Sequence, residues 1–192
     1  LEHFGYSKAL SLNAVNCAIE ANTLEQAKVW LQQALEINKS DVNLQQAQAR
    51  LFQAQGQDQE ALFQLRSLCK TNPDNLEAWL DIGVLQHRLG ERQDALYSFQ
   101  KAYQINPNEP RASANQITIN QELGRYKEAH QIHSELTQEM QTSNLVRGSY
   151  AYLLMGEQRM VEAATEFAQL CELQPEQPLH WLNRCACFRA LK

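Results

Sequence analysis

The chain has 192 residues, a formal net charge of −5 and a 44% hydrophobic content. That composition excludes a disordered tail, and the mild acidity excludes a general nucleic-acid binder, which needs clustered Lys and Arg. No apolar run approaches the roughly 20 residues of a membrane-spanning helix. The opening LEHFGYS shows neither a signal-peptide pattern nor an initiator Met, as expected of a chain processed or cut from something longer.

Only 7 Gly and 5 Pro punctuate a sequence rich in Gln, Ala, Leu and Glu, which favours helix. Residues 1–7 read as an N-terminal extension. Residues 8–41 read as two amphipathic helices, with Val15, Ala27, Leu31 and Ala34 facing inward. Asn22 sits at the turn between them and Lys39 at a soft stop. Residues 42–75 repeat the scheme with Ala49, Gly56, Ala61, Leu65, Leu68 and Pro73.

Residues 76–109 carry the clearest copy: Trp79, Gly83, Gly90, Ala95, Phe99, Ala102 and Pro107. Gly83 lets a partner helix approach, Gly90 suits the left-handed end of a helix, and Pro107 stops the second helix. Residues 110–143 keep Gly124, Ala129 and Leu136. They place Ser113, Ile117, His133 and Gln141 at the other key positions, which predicts looser packing. Residues 144–177 supply Ala151, Ala163, Phe167, Leu170 and Pro175. Gly156 falls two residues early, which predicts a short first helix and a long turn. A partial copy, 178–192, has Trp181, Cys185, Phe188 and Leu191 on one helix.

A period of 34 residues with two helices per copy and these small and aromatic positions resembles the tetratricopeptide repeat family. The resemblance covers nearly the whole chain from Lys8. It implies an all-α fold, a right-handed superhelical solenoid of antiparallel helix pairs with about eleven helices. It also implies a concave groove lined by fixed positions of each first helix. Carried onto this sequence, those positions include Arg50, then Asp81, Val84, His87 and Arg88, then Arg111, Asn115, Thr118, Gln121 and Glu122.

Arg50, His87, Arg88 and Arg111 are expected to make the groove locally basic and suited to an acidic peptide, with Asn115 and Gln121 bonding its backbone. The bland reading is a solvated face with some cations paired to Glu77, Asp81 and Glu122. A chaperone-type carboxylate clamp is not matched, since Gln46, Arg50, Asp81, Arg111 and Asn115 fill its places. The family's asparagine ladder survives at Asn13, Asn115 and Asn183, but Ala47, Asp81 and Ser149 interrupt it.

No phosphate loop or nucleophile elbow appears, so the expectation is a non-enzyme without cofactors. His130 and His133, with Glu128, have a spacing that could hold a metal. His133 also fills a core aromatic position, and the core reading is preferred to a metal site. The five Cys read as small buried hydrophobes in a reducing, cytoplasmic setting, the alternative being a redox pair. The stripe Trp181, Cys185 and Phe188 predicts contact with a second copy or with chain beyond Lys192. The expected function is a scaffold for a protein or peptide partner, not for nucleic acid or membrane. The alternative is the recruiting arm of a larger glycosyl- or sulfotransferase-type enzyme.

Overall fold

The computed structural model describes residues 8–191; the extension read at 1–7 lies outside them. Among the described residues every regular element is helical. They are α1 (Lys8–Glu20), α2 (Leu24–Ile37), α3 (Val42–Ala54), α4 (Asp58–Thr71), α5 (Leu76–Arg88), α6 (Arg92–Ile105), α7 (Pro110–Glu122), α8 (Tyr126–Glu135), α9 (Gln138–Thr142), α10 (Asn144–Gly156), α11 (Met160–Leu173) and α12 (Pro178–Ala190). The described residues up to Leu89 form one compact unit and those from Gly90 a second.

Each helix pair carries its own local signals, and they recur every 34 positions. Asp41, Asn75, Glu109 and Ser143 stand just before α3, α5, α7 and α10. Each accepts a hydrogen bond from the first turn through its side chain, as at Asn75, which takes the Ala78 N–H at 3.0 Å. Between the helices of a pair, Asn22, Gly56, Gly90, Gly124 and Gln158 all have positive φ, from 56° to 82°. Proline adds a second device. Trp79 Nε1 donates to the Pro73 carbonyl at 2.7 Å, and Trp181 Nε1 to that of Pro175 at 3.2 Å.

In the first unit, Val15, Ala27, Leu31 and Ala34 pack with Leu44 and Leu51. A second cluster joins Ala49, Ala61, Leu65 and Leu68 to Ile82 and Leu85. In the second unit, Ile117, Ala129, Leu136 and Met140 meet Val146 and Leu153, and Ala151, Ala163, Phe167 and Leu170 meet Cys187. The inward alanines Ala27, Ala61, Ala129 and Ala163 are all fully buried. A larger side chain there would push two helix backbones apart. Phe167 is fully buried too; truncating such a side chain to Ala costs about 3–5 kcal/mol.

Among the described residues twelve helices replace the eleven or so expected from sequence, because the second helix of 110–143 breaks. Leu136 is extended (ψ 149°), α8 ends before it, and Thr137 caps the short α9 by accepting from the Met140 N–H. The sequence reason is local. Ser134, Thr137, Thr142 and Ser143 all use their hydroxyls on nearby backbone, in competition with the helix. Gln141 offsets the break: its Nε2 donates to the carbonyls of His133 and Leu136 at 2.9 and 3.2 Å.

Gly156 does not shorten its helix. α10 runs through Gly156 to the usual length, and Gln158 takes the left-handed conformation (φ +65°). The packed pair, not the nearest glycine, sets where the turn falls. Gly156 serves a contact instead: a Cβ there would lie 3.2 Å from Gln121 Nε2 and 3.5 Å from Tyr126 Cε1.

Candidate peptide-binding faces

In the first unit, Asn75 starts α5 and Gly90 follows its end, so Asp81, Val84 and Arg88 recur at i, i+3 and i+7 along one face. Val84 is 48% exposed. Arg88 is exposed, but its Nη2 lies 2.5 Å from Asp58 Oδ1 on α4. Asp81 and His87 are half-buried. Arg50 on α3 is exposed, and no carboxylate pairs with it among the described residues.

In the second unit, Arg111 is clamped by the residue that caps its own helix. Its Nε and Nη2 lie 2.7 and 3.0 Å from the Glu109 carboxylate. Those hydrogen bonds hold the Glu109 carboxyl below the usual carboxylate range. Glu122 accepts from Arg92 Nε at 2.7 Å. Asn115 spends its amide on the Arg111 carbonyl at 2.8 Å. Thr118 Oγ1 lies 3.0 Å from the Ala114 carbonyl and 3.2 Å from Ser149 Oγ, so it donates to the carbonyl and accepts from Ser149. Gln121 reaches Gly156. The structure thus brings Thr118 and Gln121 to α10. Arg88, Arg111 and Glu122 are tied to Asp58, Glu109 and Arg92, with Asp58 and Arg92 both on second helices.

Further residues at the same register escaped the sequence reading. Stepping 34 positions on from Arg111 and Thr118 gives Leu145 and Tyr152, and a further step from Leu145 gives Leu179. All are exposed, by 51%, 38% and 55%. Tyr152 packs edge-on against Phe167, and its hydroxyl accepts from Asn183 Nδ2 at 2.6 Å. Gly148 has open space where a Cβ would stand. The α10–α12 face therefore presents exposed apolar side chains beside polar ones. Applying the groove register to residues 144–192 would have found it.

His133 stacks on Tyr150, with ring centres 3.7 Å apart and planes at 6°. Burial first, then His130 and Arg147, lowers its pKa to about 4, so it is a neutral core ring at neutral pH. His130 Nε2 lies 2.6 Å from Glu157 Oε2. Among the described residues no group of three or more His, Cys, Asp or Glu is arranged to hold a metal, and no helix is long and apolar enough to cross a membrane.

One cysteine expectation needs correcting. Cys69, Cys171 and Cys187 are buried, but Cys17 and Cys185 are exposed. Cys17 is on the solvent side of α1. Cys185 lies on the α12 face shared by Trp181 (44% exposed) and Phe188 (50%), which no other helix covers among the described residues.

Residues 47–110 match the tetratricopeptide repeat family model. DnaJ homolog subfamily C member 3 of Bos taurus is 26% identical over 98 residues, 51% of this chain and 19% of that protein. The chain thus spans about a fifth of the length of the curated relative it matches. A tetratricopeptide repeat protein from Parabacteroides merdae superposes with a TM-score of 0.77 at 19% identity, over 97% of this chain and 74% of that one. YrrB, described as a TPR protein with an unusual peptide-binding site, superposes with a TM-score of 0.65 at 18% identity, over 89% and 88% of the two chains.

Proposed function

Because this chain is a tetratricopeptide repeat protein, we propose that it is a non-catalytic scaffold whose first helices hold segments of a partner protein. Proteins of this family generally act as interaction scaffolds, and their repeats bind through exposed first-helix positions. The observation that carries the reading is the α10–α12 face. Leu145, Tyr152 and Leu179 are exposed there beside Thr118, Ser149 and Asn183, which supply hydrogen bonds. Exposed aliphatic and aromatic groups next to polar ones suit a peptide that buries side chains and bonds its backbone. The division of the array into 8–41, 42–75, 76–109, 110–143, 144–177 and 178–192 belongs to the same proposal.

Charge preference is a finer point. With Arg88 and Arg111 already paired to carboxylates, Arg50 is the cation best placed to meet an acidic side chain of the partner. The test is fluorescence anisotropy with a panel of apolar and acidic peptides against the wild type, Tyr152→Ala and Arg50→Glu. Tyr152→Ala should weaken apolar peptides at least tenfold, and Arg50→Glu should weaken acidic ones by less. Equal binding by all three proteins would remove both faces as binding surfaces.

A further inference from the structure

Within the first unit, a trough of about 620 Å³ opens between α2 and α3. Its floor is Leu31 and Leu51, nearly buried, and its walls include the half-buried Leu35 and Phe52. Its size and apolar lining are those of a small-molecule site. It lies apart from the exposed first-helix positions Arg50, Val84 and Arg88.

The 34-residue register explains why it is open. Lys28 lines the trough. The residues equivalent to Lys28 at later copies include Leu62, Leu96 and Ala164, all buried at 2%, 7% and 5% exposure. The positions equivalent to Phe52 are likewise buried, at Gln86, Asn120 and Leu154. Where three later helix pairs bury an apolar side chain and a fourth places the half-buried His130, α2 sends a lysine outward, and the space is left unfilled. Lys28 and Lys39 both line it and both lack an ion pair among the described residues. Lys28 lies on α2 and Lys39 in the turn beyond its C-cap Asn38, and the Glu36 carboxylate lines the trough on the Lys39 side. An apolar channel bordered by the Lys28 ammonium, with the Glu36 carboxylate set apart from it, suits one kind of small molecule: an unbranched chain ending in an anionic group.

We propose that this trough binds a linear aliphatic carboxylate. The Lys28 ammonium pairs with the carboxylate, and the chain runs along α2 over Leu31, Leu35, Leu51 and Phe52. Gln32 and Gln48, also on the lining, supply amide donors to the head group. Each methylene added should tighten binding roughly fourfold while the trough has room, from about 0.8 kcal/mol per buried CH₂.

The experiment is a methyl-NMR titration of the full chain with octanoate, then decanoate, below the concentration at which either forms micelles. Saturable shifts are expected at Leu31, Leu35 and Leu51, with decanoate roughly fifteenfold tighter than octanoate. Lys28→Gln removes the charge and keeps the space, and should weaken decanoate severalfold. Lys28→Leu restores the residue found at Leu62 and Leu96, and should abolish binding while raising stability. Loss of binding therefore cannot be blamed on unfolding. Equal binding by wild type and both variants, no saturable shift, or shifts confined to α5 or α10 would each overturn the proposal. Shifts at these leucines that grow with protein concentration alone would also overturn it, since they assign the trough to a second copy of the chain.

Discussion

Gln158 and Gly124 share one backbone conformation 34 residues apart, with φ of +65° and +70°. An L residue held there costs roughly 1–2 kcal/mol, and glycine does not. Gln158→Gly is therefore expected to stabilise the chain by about 1 kcal/mol. Gly124→Ala should cost a similar amount. A Cβ at Gly124 meets nothing within 4 Å, so the whole penalty is conformational. Urea melts with an unchanged slope would read both effects as shifts of midpoint; a null result for Gln158→Gly would show that this turn is not under strain.

His133 makes stability depend on pH. Its folded pKa is lowered to about 4, against about 6.5 in the unfolded chain. The unfolded state therefore binds more protons between those values. Stability should be full above pH 6.5, fall as the pH drops toward 4, and level off below that. His130 and Arg147, which also act on its charge, shape the curve. His133→Phe, which places there the residue found at Phe99 and Phe167, should flatten it. Thermal melts of both proteins from pH 4 to 7 are the check; parallel curves would exclude His133 as the source.

The Arg88–Asp58 pair, at 2.5 Å, has side chains 50% and 19% exposed. Exposed pairs contribute about 0–1 kcal/mol. Arg88→Ala should thus leave the midpoint of denaturation nearly unchanged. A loss of more than about 2 kcal/mol would mean that the pair is structural, and any binding defect of an Arg88 variant would then report folding rather than recognition.

The cysteines should divide two and three. In the native protein a thiol reagent should modify Cys17 and Cys185 quickly. Burial pushes the Cys69 thiol up to about 11 and raises those of Cys171 and Cys187, so these three should react only after denaturant is added. Mass spectrometry of timed samples counts them. A third fast site would point to local opening of α4, α11 or α12.

The fold class was legible because small residues leave a periodic trace. Ala27, Ala61, Ala129 and Ala163 recur where two helices touch, and all four are fully buried. What was not legible came from competition between local and packed preferences. Gly156 reads as a helix end, yet the pair closes at Gln158. Residues 110–143 read as one helix pair, yet the Thr137 hydroxyl caps a further short helix. Exposure of Cys17 and Cys185 depends on which faces are covered, and residue type does not say that. At the candidate site, the partner of Arg88 is Asp58, on the second helix of the preceding pair, which a list of first-helix positions does not contain. The apolar face of Leu145, Tyr152 and Leu179 needed only the same register carried further.

The indoles that donate to the Pro73 and Pro175 carbonyls have a practical consequence. Trp79 lies in one compact unit and Trp181 in the other, each anchored to the turn before its helix. With Trp30 replaced by Phe, each of the two single-tryptophan proteins becomes a fluorescent thermometer for its own unit. Coincident melting of the two would make the whole array one cooperative body. Separated transitions would mean that partner binding to one unit stabilises that unit alone.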